Sequence, residues 1–185
     1  MSTTDQWKSL DEKKVIFRTK IFAVCSEKFQ CVRTGTEIDF ITLSSWNWVN
    51  VIARTEEGKI LLIRQFRPGT MQEELEIPGG CIEPSDPHPE HAAERELLEE
   101  TGYAGENARI IGKVAPNPAI QGNLCYTVLI ENAKKISEPL LEDTECIETE
   151  EFTLEEIRAM ISSGTIRHGL VLNALCFYLL GQAIK

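Results

Sequence analysis

Residues 80–103 read Gly80-Cys81-Ile82-Glu83-Pro84-Ser85-Asp86-Pro87-His88-Pro89-Glu90-His91-Ala92-Ala93-Glu94-Arg95-Glu96-Leu97-Leu98-Glu99-Glu100-Thr101-Gly102-Tyr103. Glu96, Glu99 and Glu100 stand at i, i+3 and i+4, and on a helix those offsets share one face. Like charges placed this way destabilise an isolated helix by roughly 0.2–0.5 kcal/mol per close pair. For an isolated Glu-x-x-Glu-Glu, a solvated acidic face is the plain reading. The alternative is a compensating cation. Mg2+ suits such a face because it seeks carboxylate oxygens and keeps waters and substrate phosphates as its remaining ligands. Read in that way, the run marks a site of phosphate chemistry carried on a helix.

The flanking residues favour the cation. Pro78-Gly79-Gly80 is a tight turn that lets backbone carbonyls point at one place. Arg95 precedes the first glutamate and can orient a carboxylate by ion pairing. Gly102 stands where the end of the helix wants a left-handed residue. Together these residues resemble the signature box of the Nudix hydrolases: Gly, five residues, Glu, seven residues, then Arg-Glu-aliphatic-x-Glu-Glu-x-Gly-aliphatic. There are two departures. Asp86 stands where the family has Glu, and eight residues, Pro87 to Glu94, precede Arg95 instead of seven. The extra residue falls in a Pro-rich loop, which tolerates insertion better than a helix does. Asp86 is therefore in doubt as a functional residue, whereas the Glu96/Glu99/Glu100 set is intact.

The 185 residues, 42% hydrophobic and 26% charged, are ordinary for a globular chain with a sizeable core. A net charge of −10 argues against a nucleic-acid surface. An anionic substrate then requires a local solution, with arginines and bound metal inside an acidic whole. Met1 to Lys8 is polar and has no apolar core of signal-peptide length, and no membrane-spanning run follows, so the cytoplasm is expected. The six cysteines are scattered without a C-x-x-C pair, which gives little support to structural zinc, and they read as apolar fillers or incidental thiols.

The first half of the chain reads as strands: Lys14–Val24, Phe29–Arg33, Phe40–Leu43, Trp48–Ala53, Lys59–Phe66 and Gln72–Ile77, with a hairpin at Glu56-Glu57-Gly58. A helix over about Glu90–Thr101 follows. Further strands fall at Arg109–Val114, Leu124–Ile130 and Cys146–Phe152. Thr153 with Glu156 forms a capping-box pattern opening a helix that ends near Gly164. A final, mostly apolar helix over about His168–Ile184 should be largely buried. This order predicts an α/β fold, a mixed sheet covered by helices. The resemblance implies the same, a Nudix-type α/β/α sandwich with a mixed central sheet over residues 46–185. It also implies N-terminal antiparallel strands over residues 1–45 that serve homodimerisation.

A diphosphate bridge is stable and strongly anionic, so its cleavage needs charge neutralisation, an activated water and in-line alignment. The resemblance assigns Glu96, Glu99, Glu100 and the Gly79 carbonyl to the metal, with Glu99 and Arg95 in the catalytic machinery. It also likens Glu142-Asp143-Thr144-Glu145-Cys146-Ile147-Glu148 to the acidic loop of the ADP-ribose branch, which places Glu145 at the base or metal-assisting position, with Glu142 and Glu148 as weaker candidates; without the resemblance, a solvated acid-rich loop is the plain reading. Arg64-Gln65-Phe66-Arg67-Pro68-Gly69 resembles the branch's Gln-[Phe/Tyr]-Arg-Pro segment, so Arg67 would grip a phosphate through its planar fork. Glu76 is either a supporting partner or an exposed strand residue. Trp46 and Trp48 alternate, so as strand residues they would share one side. They would there stack a nucleobase, or pack in the core or a dimer contact. Gln121 and Asn123 lie in a loop placed to touch sugar.

The expectation is therefore a Nudix hydrolase using Mg2+, with Mn2+ as the alternative, on the diphosphate of a nucleoside diphosphate sugar. ADP-ribose, giving AMP and ribose 5-phosphate, heads the substrates. A GDP- or UDP-hexose is the next reading, and a non-catalytic ligand sensor is the reading from another class. The expected partners are the nucleotide sugar and a second copy of the chain, with neither nucleic acid nor membrane.

Overall fold

The computed structural model describes residues 6–183. The chain divides into two compact units, Met1–Trp46 with Ala115–Asn123 and Asn47–Val114 with Leu124–Lys185.

The first unit is a four-stranded antiparallel sheet of β1 (Trp7–Ser9), β2 (Lys14–Arg18), β3 (Ala23–Cys31) and β4 (Glu37–Ser44). β3 lies at its centre, with β4 on one edge and β2 followed by β1 on the other. The run expected as one strand over Lys14–Val24 is broken. Thr19 Oγ1 accepts from the N–H groups of Ile21 (3.2 Å) and Phe22 (3.0 Å), folding the chain between β2 and β3. A side chain that offers the backbone this alternative stops a strand that β-branched neighbours would otherwise continue. Phe40 meets Trp7 and Phe29 edge-on, at ring-centroid distances of 5.1 and 5.5 Å. Val15, Ile16, Phe17, Ile21 and Ile41 remain exposed. From the later segment, Ile120 accepts the Leu43 N–H at 2.7 Å, and the Asn123 amide donates to the Trp46 carbonyl at 3.1 Å. Asn123 is thus buried and engaged with its own unit.

The second unit holds β5 (Trp48–Thr55), β6 (Ile60–Arg67), β7 (Gln72–Glu76), β8 (Gly79–Cys81), α1 (Pro89–Thr101), β9 (Tyr103–Val114), β10 (Cys125–Lys135), β11 (Ile147–Phe152), α2 (Leu154–Ser163) and α3 (Gly169–Ala183). The strand order is β11-β6-β5-β10-β9, with β7 on β6 and β8 on β5. The β5–β10 pair is parallel and the other pairs are antiparallel, so the sheet is mixed. β5 and β6 leave their hairpin paired at Arg54↔Ile60 and then part: β6 takes β7 as neighbour, while β5 takes β8. The sheet opens between them, and the Ile77-Pro78-Gly79 turn crosses the opening, where the Pro78 carbonyl accepts from Val51 N–H at 2.8 Å.

Helices cover both faces. Val49, Val51, Ala53, Leu61, Val128 and Ile130 pack with Ala92, Ala93 and Leu97 of α1. Ile52, Ile60, Leu62, Leu75, Ile77 and Leu129 pack with Ile157 of α2 and Val171, Ala174, Leu175 and Tyr178 of α3. Burial on both faces explains why β5 and β6 read as near-continuous apolar runs. The expected α/β/α sandwich is the observed one.

α2 begins with the full capping box: Thr153 accepts from Glu156 N–H, and Glu156 accepts from Thr153 N–H. α3 differs from the sequence reading. It starts at Gly169, and its expected last residue, Ile184, lies outside the described residues. It buries one side only, leaving Cys176 and Leu180 exposed. Among the described residues no helix is long and apolar enough to cross a membrane, and the cysteines are all free.

Candidate active site

The acidic edge of α1 lies beside the split in the sheet of the second unit. Ala92, Glu96 and Glu100 form one i, i+4 row of the helix, alongside the row Ala93, Leu97 and Thr101. The apolar members seat α1 on the sheet and carry the glutamates in with them. Glu100 is only 6% exposed, so it is a buried residue and not a surface one. Its Oε2 accepts from Gly79 N–H at 2.9 Å, which joins the helix to the turn across the sheet opening. Gly79 must lack a side chain, since a Cβ there would overlap the Val49 carbonyl, and a Cβ on Gly80 would displace the Glu96 carboxylate.

Burial sets the electrostatics. Desolvation first, and the charges of Glu96 and Glu145 after it, push Glu100 up to about 8 against the favourable Gly79 bond. Desolvation likewise raises Glu96 to about 7, opposed by Arg95 and supported by Glu99 and Glu145. These all-oxygen donors, crowded and poorly hydrated, fit a hard divalent cation, which would relieve both penalties at once. Among the described residues no three His, Cys, Asp or Glu side chains already stand gathered as a metal cage. A cation that keeps waters and takes substrate phosphates as ligands does not need one.

Arg95 organises this edge. Its Nη1 donates to Glu96 Oε1 (3.1 Å) and Glu99 Oε2 (2.9 Å), and its Nη2 donates to the Cys81 carbonyl (3.0 Å). The other side of its fork binds Asp86, Nε to Oδ1 at 3.3 Å and Nη2 to Oδ2 at 3.0 Å. Asp86, left in doubt by the spacing, is thus the anchor of Arg95. Its side chain is 1% exposed and also accepts from Glu83 N–H (2.9 Å). The Arg95 hydrogen bonds first, then the Glu83 N–H and His91, hold its carboxyl well below the usual range. The extra loop residue is absorbed between Pro84 and Pro89, ahead of the His88 N-cap, whose ring accepts from His91 N–H at 3.2 Å.

The loop carrying Glu145 is tied to the end of α1. Gly102 takes the left-handed conformation (φ +73°), and its carbonyl accepts from Ile136 N–H (2.9 Å) and Ser137 N–H (3.1 Å). Leu140 N–H donates to the Glu99 carbonyl at 2.8 Å. A side chain on Gly102 would overlap the Ser137 carbonyl. Glu145 Oε2 accepts from Glu142 N–H at 2.9 Å, which fixes the carboxylate where Glu96 and Glu100 feel its charge. Leu141, Glu142, Asp143 and Thr144 line an open hollow of about 430 Å3 next to it.

Arg67 reaches the same region from β6. Its Nε and Nη2 donate to Glu76 Oε1 (2.7 Å) and Oε2 (3.0 Å), and Glu100 adds a further attractive charge. Glu76 is buried, so of its two expected roles it takes the partnered one. Arg64 pairs instead with Glu150 at 2.9 Å, on the exposed side of β11. Trp48 begins β5, opposite Cys81 of β8, in the row of Asn50 and Ile52 that alternates with Val49 and Val51. Trp46 precedes the strand, is 53% exposed and belongs to the first unit, so the two indoles do not alternate along one strand. The sequence signal for the missed Asp86–Arg95 bond was the acid at the box position itself. A shorter carboxylate serves there because the loop brings it close.

Comparison with known proteins gives this arrangement its class. The NUDIX domain model matches residues 47–173, and the chain belongs to the Nudix family of hydrolases. Across 96% of its length it is 29% identical to 98% of the ADP-ribose pyrophosphatase of Bacillus subtilis (strain 168). It is also 30% identical to the methanol dehydrogenase activator of Bacillus methanolicus, over 74% of each chain. A solved structure of an ADP compounds hydrolase shares the fold, with a TM-score of 0.81 over 96% of both chains at 20% identity.

Proposed function

We propose that this Nudix hydrolase cleaves the diphosphate of a nucleoside diphosphate sugar, with ADP-ribose as the leading substrate and AMP and ribose 5-phosphate as products. The observation that carries the reading is the Glu96 and Glu100 row of α1, with Glu100 buried against the Gly79 N–H, beside the Arg67 fork held by Glu76. Similarity over nearly the whole chain to an ADP-ribose pyrophosphatase supports the choice of substrate. Glu96, Glu99, Glu100 and the Gly79 carbonyl would hold the cation, Mg2+ first and Mn2+ as its substitute. That ion supplies charge neutralisation at the diphosphate and acidifies water. Glu145 takes the proton from the attacking water, with its other oxygen held by Glu142 N–H. Arg67 grips a phosphate, and Arg95 acts as a positioning residue that keeps Glu96 and Glu99 in register.

The exposed apolar residues of the first unit support a homodimer, since such a surface on a single copy would favour association. The net charge of −10 supports a partner set without nucleic acid, and the cytoplasm is the proposed compartment. The test is separation of products from ADP-ribose and from GDP- and UDP-hexoses. AMP and ribose 5-phosphate in equal amounts, lost with chelator and restored by Mg2+, is the expected result. Faster turnover of a hexose nucleotide would replace the substrate, and binding without turnover across the panel would make the chain a sensor.

A further inference from the structure

Arg67 and Glu76 sit on neighbouring strands, but not opposite one another. The register sets Arg67 across from Gln72, and Glu76 across from Ile63. For its fork to meet Glu76, the Arg67 side chain folds back along β6, away from the hairpin tip and toward the Pro78-Gly79 turn. Glu76 itself is fixed: its side chain is 5% exposed, and its neighbours Leu75 and Ile77 are buried in the core. It takes the Nε and one Nη2 hydrogen of the guanidinium. Both Nη1 hydrogens and the second Nη2 hydrogen remain, and one from each nitrogen forms the end-on edge of the fork, the geometry that grips two phosphate oxygens together.

We infer that Glu76 is the positioning residue for Arg67: its bidentate bond turns the guanidinium back into the sheet opening and leaves the end-on edge presented to the substrate diphosphate. A neutral partner would hold the fork by fewer and weaker bonds, and the long side chain would recover its rotamers in solvent at the strand end. The inference rests on the proposed diphosphate substrate. It adds a requirement that Arg67 alone does not carry, since Glu76 touches no substrate and acts only through the arginine.

A double-mutant cycle on the full chain tests it, using Arg67→Ala, Glu76→Gln and the pair. The readouts are calorimetric binding of the non-hydrolysable α,β-methylene analogue of ADP-ribose with Mg2+ and the split of kcat from KM on ADP-ribose. Glu76→Gln should weaken binding about tenfold and raise KM more than it lowers kcat. In the Arg67→Ala background the same change should do nothing further. Multiplying losses in the pair, or wild-type binding by Glu76→Gln, would overturn the inference. Should Glu76→Gln not fold, Glu76→Asp keeps the charge with a shorter reach and should show a smaller loss of the same sign. Wild-type affinity in Glu76→Asp would then overturn it. If the wild-type chain neither binds nor turns over ADP-ribose, the substrate reading falls. The cycle is then run with inorganic pyrophosphate, and equal affinity across the four proteins would overturn the positioning role on its own.

Discussion

α1 and α3 are of similar length, 13 and 15 residues, and cover opposite faces of one sheet, yet their chemistry is reversed. α1 carries five glutamates and one arginine, while α3 carries no charge at all. The usual partition of polar and apolar residues fails on both. α1 buries Glu100 at 6% exposure, whereas α3 leaves Leu180 58% exposed. Removal of charge from water costs α1 stability, and the Gly79 N–H and Arg95 offset only part of that cost. α3 is held by the apolar side it shares with Ile52, Leu62 and Leu129. α1 is thus seated by only three apolar side chains, Ala92, Ala93 and Leu97, so that its acids can face the site, while α3 supplies the core that makes this affordable.

Substitution at Glu100 should separate these roles most sharply. Glu100→Gln keeps an oxygen for the Gly79 N–H and removes a charge that burial disfavours. Turnover should fall on the order of a thousandfold, since loss of cation-assisted charge stabilisation amounts to several kcal/mol. The melting temperature of the metal-free protein should hold or rise. Wild-type rates in this variant would remove Glu100 from the site. Glu145→Gln should lower kcat by about a hundredfold or more with a smaller change in KM, as expected for a proton acceptor. A change confined to KM would move the base to another acid of the loop. On α3 the pattern inverts. Leu175→Ala should cost about 2–5 kcal/mol in chemical denaturation while the folded fraction keeps its wild-type kcat. Full stability in that variant would contradict the division of labour.

The smallest effect concerns an ion pair outside both helices. Arg167, in the link between α2 and α3, bonds Glu74 through Nε (3.0 Å) and Nη2 (2.7 Å). Those bonds first, and Thr70 after them, pull the Glu74 carboxyl down from 4.5 to about 2. A folded value below the unfolded one means that the stabilisation is complete above about pH 4.5 and is lost as pH falls toward about 2. Glu74→Gln should therefore show a shallower drop in melting temperature than wild type between those limits. Parallel curves would show that Glu74 titrates alike in both states.

Much of α1 was legible because the signals were local: a glycine at its end and acids at helical spacing. The capping box of α2 was legible for the same reason. What the sequence did not yield depended on contacts distant along the chain. The break at Thr19 needed a side chain to outcompete the sheet ladder. The pairing of Arg67 with Glu76 needed the β6–β7 register, and the anchoring of Arg95 by Asp86 needed the fold of the Pro-rich loop. Trp48 alternates as a strand residue should, but only the positions of α1 and α3 decide which face it joins.

On this reading of the site, the acidic edge of α1 exists to hold a divalent cation. Mn2+ binding followed by electron paramagnetic resonance tests it without reference to any substrate. Wild-type protein should take up at least one Mn2+ that Mg2+ displaces, and the Glu96→Gln/Glu100→Gln pair should lose it while remaining folded. Equal Mn2+ uptake by the two proteins would mean that the acidic edge of α1 holds no cation.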